Sequence, residues 1–194
     1  MGMRSIKQEE LLGSEGLKKE FLAAVRSGVV FIHPTDTVYG LGCSIEFPES
    51  IKKIYQLKQR GESKPMSIVA PTKDWIYQNF YVSESNKSFM ERLLPGPYTI
   101  VLKTKTKFPQ WLVKENAVGV RIPKHPVIDL IRKEGIVFTT TSLNIAEQEV
   151  ITKLEDVPEP IKQGVQIAID SGQLRKHPSR VFDLTTDEVK IIRP

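Results

Sequence analysis

Three polar clusters carry the residues of this sequence that could do chemistry. In Pro34-Thr35-Asp36-Thr37-Val38-Tyr39-Gly40-Leu41-Gly42, two threonine hydroxyls, a carboxylate and a phenol crowd into a turn closed by glycines. Such a set can hold a small polar molecule through several hydrogen bonds. The same Asp and Thr side chains could instead satisfy backbone groups of their own turn. The second cluster, Lys58-Gln59-Arg60-Gly61-Glu62-Ser63-Lys64-Pro65, places three cations within seven residues at the expected end of a helix. It reads either as a triphosphate clamp, with an Arg fork and Lys point charges against leaving pyrophosphate, or as a solvated helix end complementing the helix dipole. The third, Thr139 to Asn144, offers four consecutive hydroxyls and an amide after a buried run. A solvent-facing strand end accounts for some of these groups but not for an unbroken series.

Several familiar chemistries are missing. The chain has no GxxxxGK[ST], and Gly40-Leu41-Gly42 lacks the third glycine of a dinucleotide fingerprint because Ile45 stands there. Cys43 is the single cysteine, so an internal disulfide and a thiolate cluster are excluded, and His33, His125 and His177 form no paired motif. No metal site is expected. The 28 Lys and Arg against 23 Asp and Glu give a formal charge of +5, which favours anionic partners such as nucleotides or RNA without choosing between them. With 194 residues, 40% hydrophobic and 26% charged, the chain suits one domain spanning 1–194. No apolar run reaches the roughly 18 residues of a membrane span, and Met1 to Glu10 lacks a secretory signal's apolar stretch, so a cytoplasmic protein with no membrane partner is expected.

The elements that must position these clusters alternate. Leu17, Phe21, Ala24 and Val25 recur at helical spacing after Ser14, a candidate N-cap, and stop at Gly28. Val29 to Ile32 reads as a strand leading into the first cluster as a special loop. Helices are expected over Pro48 to Lys58, Asp74 to Tyr81, Glu84 to Leu94 and His125 to Lys133. Strands are expected over Met66 to Ala70, Tyr98 to Lys103, Ala117 to Ile122, Ile136 to Thr140, Val165 to Asp170, Val181 to Leu184 and Val189 to Ile192. An alternating chain that finishes in three strands predicts an α/β fold with a mixed sheet.

PTDTVYGLG, LKQRGESKP, PGPYTIVL, VGVRIPKHP, TTTSLN and HPSRVFDL stand in the order and spacing of the YrdC/Sua5 family, the threonylcarbamoyl-AMP synthases, which the chain resembles from about Gly28 to Arg193. It is similar to the short YrdC form. The resemblance implies a mixed twisted sheet with flanking helices around a concave, basic cavity. There L-threonine, bicarbonate and ATP would give threonylcarbamoyl-AMP and pyrophosphate, a nucleotidyltransferase reaction. The product would feed modification of tRNA adenosine 37 by a separate threonylcarbamoyl transferase complex. Lys58 and Arg60 match the KxR pair on the ATP phosphates, and Ser142 and Asn144 match the SxN motif on the nucleotide. Thr35, Arg121 and Ser179 fall where the family contacts threonine, with Tyr39 lining the same pocket, and Arg193 matches a nucleotide-contacting arginine. Mg2+ is expected with ATP, held mainly by substrate oxygens.

The chain departs from the family at Leu143, between Ser142 and Asn144, at Ala146-Glu147 in place of the SG that commonly follows, and at Arg180. Leu143 could narrow the nucleotide pocket, and Glu147 would bring negative charge near phosphate. In a working synthase Leu143 must point away from the nucleotide, since successive side chains face opposite sides. A YciO-type paralogue, or a module binding tRNA or double-stranded RNA without this activity, is the alternative; threonine itself, the oligomeric state and direct RNA binding are not readable from the residues.

Overall fold

The computed structural model describes residues 2–61, 64–174 and 177–194. The first half runs β1 (Arg4–Lys7), α1 (Gln8–Gly13), α2 (Glu15–Arg26), β2 (Phe31–His33), β3 (Gly40–Ser44), α3 (Pro48–Leu57), β4 (Ser67–Val69), α4 (Lys73–Asn79) and α5 (Glu84–Leu93). Then come β5 (Tyr98–Lys103), β6 (Ala117–Arg121), α6 (Pro126–Lys133), β7 (Phe138–Ser142), α7 (Glu159–Gly164), β8 (Ile167–Asp170), β9 (Arg180–Asp183) and β10 (Lys190–Arg193). Among the described residues the ten strands form one sheet in the order β1-β8-β2-β3-β7-β4-β6-β5-β9-β10. It is mixed, as expected: β1 and β2 lie parallel to β8, whereas β7 lies antiparallel to both β3 and β4.

Local signals explain most boundaries. The Ser14 hydroxyl caps α2 by accepting from the Leu17 N–H at 3.3 Å, and Pro48 and Pro126 open their helices where a missing N–H costs nothing. Gly28 ends the first long helix at φ +79°, a conformation that L side chains rarely adopt. One expectation is corrected, and two elements appear that the sequence reading did not include. Gly40-Leu41-Gly42 is not loop but part of β3, and its glycines serve close packing rather than a turn. A Cβ at Gly42 would lie 2.6 Å from the Thr139 carbonyl, and one at Gly40 would lie 2.6 Å from the His33 ring. The segment before Ser14 forms β1 and α1. The strand holds a single buried residue, Ile6, and its register comes from β8, a partner remote in sequence.

Strand alternation gives the sheet two different faces. Ile32, Leu41, Ile68, Ile100, Leu102, Val118 and Val120 point into one core, completed by Ile51 and Ile54 of α3, Ile76 of α4, Met90 of α5 and Ile161 of α7. On the opposite face, Phe31, Val69, Phe138, Ile167 and Ile169 pack under Leu11 of α1, Phe21 and Val25 of α2, and Val127 and Ile131 of α6. These helices cover only part of that face. Where they stop, β4 and β7 present Ser67, Thr140 and Ser142, and the neighbouring β5 and β6 present Thr99, Gly119 and Arg121, to a cavity of about 840 Å3.

Candidate functional site

The cavity floor is sheet, and its walls are the loops that the sequence singled out. Arg60 and Lys64 come from the segment after α3, Thr35 and Tyr39 from the β2–β3 connection, and Ser179 and Arg193 from the ends of the last strands. Glu62 and Ser63 of the second cluster lie outside the described residues. Lys103, Lys114, Glu115 and Asp183 also line the cavity, so among the described lining residues cations outnumber carboxylates.

Arg121 is the best-prepared anion donor. At the end of β6 it is 7% exposed, yet its Nε has no hydrogen-bond partner. One terminal nitrogen donates to Thr37 Oγ1 at 3.2 Å and lies 3.5 Å from Asp36 Oδ1. Burial, and behind it the charge of Arg193, pulls its pKa down to about 10, while Asp36 acts the other way; the guanidinium stays charged at neutral pH. Asp36 is held from behind by the Lys124 N–H, which donates to its Oδ2 at 2.9 Å.

Thr35 lines the cavity but its hydroxyl is committed. It donates to the Val38 carbonyl at 2.6 Å and accepts the Thr37 N–H at 3.0 Å, so the 2.9 Å contact between the two hydroxyls is a bond donated by Thr37. Thr37 is thereby left to accept from Arg121. The local-turn reading describes these bonds: the turn is self-satisfied, and what it builds is the seat of Arg121. Thr37 and Asp36 are the functional neighbours that motif matching did not assign; a hydroxyl two residues beyond Thr35 was the available signal.

Tyr39 is fully buried, with its phenol donating to the Gly172 carbonyl at 2.7 Å and accepting the Ser171 N–H at 2.9 Å. Burial pushes its pKa up to about 12. It lines the cavity as a fixed wall. Ser179 and Arg193, drawn from separate motifs, meet directly: the Arg193 guanidinium donates to the Ser179 carbonyl at 2.8 Å and to its hydroxyl at 3.1 Å. Thr99 Oγ1 lies 2.8 Å from the same hydroxyl.

Lys58 is not the exposed helix-end cation that its motif suggested. It is 1% exposed and absent from the described cavity lining. Its ammonium donates to the carbonyl of Ser142, to the carbonyl of Asn144 at 2.8 Å and to Asn144 Oδ1 at 2.7 Å. Ser142 Oγ donates to the same Oδ1 at 2.8 Å, and the Asn144 amide donates to the Gln148 carbonyl at 2.8 Å. The Lys and SxN motifs are thus one unit, a buried ammonium wrapped by a turn. Burial first, and then Arg60, lowers the Lys58 pKa to about 7. Arg60 remains at the cavity wall, its Nε donating to the Lys64 carbonyl at 2.9 Å.

The departures resolve without obstructing the cavity. Leu143 is fully buried in the first core, on the side away from Ser142. Glu147 is exposed and pairs with Lys64 at 3.3 Å, and Arg180 is exposed at the start of β9.

The family model covering Sua5, YciO and YrdC, described as "Telomere recombination", matches residues 23–194. A protein of Methanocaldococcus jannaschii named "Putative threonylcarbamoyl-AMP synthase" is 35% identical over 181 residues, 92% of this chain and 84% of that one. "Uncharacterized protein YciO" of Escherichia coli K12 is 28% identical over 173 residues, 87% of this chain and 84% of its own length. The structure of P. abyssi Sua5 superposes with a TM-score of 0.89 at 26% identity, covering 99% of this chain and 57% of that one. Another structure of P. abyssi Sua5, complexed with L-threonine, superposes with a TM-score of 0.87 at 24% identity. This chain therefore spans little more than half of Sua5. With most of its length matched by the family model, the chain belongs to the Sua5/YciO/YrdC family.

Proposed function

We propose that the protein is a threonylcarbamoyl-AMP synthase, converting L-threonine, bicarbonate and ATP to threonylcarbamoyl-AMP and pyrophosphate. The observation that carries this reading is Arg121: a buried guanidinium seated on Thr37 and lining a cavity that also takes in Arg60 and Arg193. Burial strengthens the attraction of an anion to this guanidinium over the same contact in water, and a carboxylate fits the planar fork. The threonine complex of Sua5 supports the choice of amino acid, and the names of relatives support the reaction.

In this reading the threonine carboxylate docks on Arg121, and its amine attacks bicarbonate carbon to give a carbamate with loss of water. A carbamate oxygen then attacks the α-phosphorus in line, and pyrophosphate leaves. Neither step requires a protein nucleophile, so positioning and charge supply the acceleration. Cys43 is unsuited to that task in any case, since burial pushes its thiol up to about 12. Arg60 supplies charge to the phosphates from the cavity wall, and Lys58 acts one step behind by holding the Ser142 to Asn144 turn. Among the described residues no group of three His, Cys, Asp or Glu side chains could hold a metal ion. An ion accompanying ATP would be carried on phosphate oxygens. The product would pass to a tRNA threonylcarbamoyl transferase complex.

Pyrophosphate release from ATP, measured with each amino acid in turn and with or without bicarbonate, tests the assignment. Release should need both L-threonine and bicarbonate. Equal release with serine, or with no amino acid, would remove the threonine assignment; no release under any condition would favour a YciO-like role.

A further inference from the structure

His33 is a buried titratable side chain beside the cavity that the proposed chemistry does not use. It sits at the end of β2, where the covered part of the sheet face gives way to the open part. Phe31 and Phe138 lie against its ring, with centroids 5.5 and 5.3 Å away. Its side-chain partner is Thr140 of the cavity floor, whose Oγ1 is 3.2 Å from His33 Nε2. The other ring nitrogen, Nδ1, is 3.4 Å from the Pro34 carbonyl.

These two contacts favour one arrangement of the protons. A carbonyl can only accept, so Nδ1 carries the ring's hydrogen. Full burial drives the His33 pKa down to about 3, so the ring is neutral and Nε2 offers only a lone pair. Thr140 must therefore donate to Nε2, and its oxygen keeps only lone pairs for anything else. Gly40 keeps the pair accessible: a Cβ there would lie 2.7 Å from Nε2 and 3.0 Å from Thr140 Oγ1.

We infer that His33 is a positioning residue, which turns the Thr140 hydroxyl so that its oxygen serves as an acceptor for the amino nitrogen of the substrate amino acid. The inference rests on the synthase reading. Thr140 lies on β7 two residues before Ser142, and Arg121 is reached in the other direction through the pairs Phe138–Val69 and Val69–Arg121. A group between Arg121 and Ser142 faces the part of the amino acid that joins its carboxylate to the nucleotide. Carboxylate and phosphate oxygens are acceptors there, and an oxygen with its proton turned away repels them. The amine, and the carbamate N–H that it becomes, is the donor that matches.

The test combines calorimetric L-threonine binding with pyrophosphate release at varied threonine and ATP. His33→Phe keeps the ring volume and removes the acceptor. It should raise the threonine KM and Kd about tenfold, the scale of one buried hydrogen bond, while the ATP KM stays within about twofold. Thr140→Val should do the same, and the double variant should be no worse than either single one. Thr140→Ser should remain close to wild type. If His33→Phe does not fold, the contrast between Thr140→Val and Thr140→Ser decides. Unchanged threonine dependence, equal rises in both KM values, or multiplied losses in the double variant would overturn the inference while wild-type activity leaves the synthase reading standing. A wild-type protein that neither binds threonine nor releases pyrophosphate with it overturns both.

Discussion

One face of the sheet has two halves that share β4 and β7 and serve opposite ends. Along β7 the face reads Phe138, Thr140, Ser142; along β4, Val69 then Ser67; along β2, Phe31 then His33. The apolar member of each strand lies under α1, α2 and α6, and the polar member lies at or beside the cavity. The change takes two residues, the repeat of a strand face. The contrast teaches that helix coverage, not strand identity, decides which residues are free for ligand. Thr140 and Ser67 are thereby anchored within one strand repeat of close-packed core. Substitutions in covered positions should therefore register in stability, and those in open positions in ligand dependence.

The largest effect expected is at Leu143, flanked by two site residues but buried in the first core. Leu143→Ala should destabilise the fold by about 2 to 5 kcal/mol, through lost burial and the cavity left behind. Its backbone is held independently: its N–H donates to the Tyr39 carbonyl at 2.8 Å, and its carbonyl accepts from Ile151 at 2.9 Å. Ser142 and Asn144 should stay in place, and ATP affinity should change little. Melting temperature and ATP affinity measured on this variant check the division, and tighter ATP binding without destabilisation would break it.

Lys58 and Arg60 sharpen the comparison, since two residues apart in sequence they fall on opposite sides of it. Arg60→Ala should cost roughly a hundredfold in activity, the scale of one preorganised donor, with little change in melting temperature. Lys58→Met should cost roughly 2 kcal/mol of stability by stranding the oxygens that the ammonium now satisfies. A pH series separates the two further. The Lys58 pKa falls from 10.5 to about 7 on folding, so between those values the unfolded chain holds a proton that the folded one has released. Stability from this group therefore rises with pH, by at most about 1.4 kcal/mol per unit. Wild type should gain on Lys58→Met from about pH 7 upward; a difference independent of pH would mean that the ammonium stays charged in its turn.

What the sequence revealed follows the same division. Strands and helices with local signals, such as Ser14 before α2 or Pro126 at the start of α6, were legible because their causes lie within a few residues. The register of β1 was not, because β8 supplies it from far along the chain. Six ordered motifs named the site's candidates, but the burial of Lys58 was not legible. A KxR triplet looks the same whether the turn after β7 folds over its lysine or leaves it in water. His33 was silent for a related reason: one imidazole has meaning only beside Thr140, 107 residues away.

The smallest effect expected is at Arg121, where the change preserves charge. Arg121→Lys keeps a cation in the same buried position but replaces a planar fork with a point charge, which cannot donate two parallel bonds to a carboxylate. The threonine KM should rise about tenfold and the ATP KM much less, since one well-placed hydrogen bond to a charged group is worth roughly 1.5 kcal/mol or more. Fold stability should change less, because Asp36 is held independently by the Lys124 N–H and still finds a cation nearby. Steady-state kinetics with each substrate varied, beside a melting curve, distinguish the cases. If the threonine dependence is unchanged and the melting temperature falls instead, Arg121 belongs with the covered half as a structural ion pair with Asp36, and the open half begins beyond it.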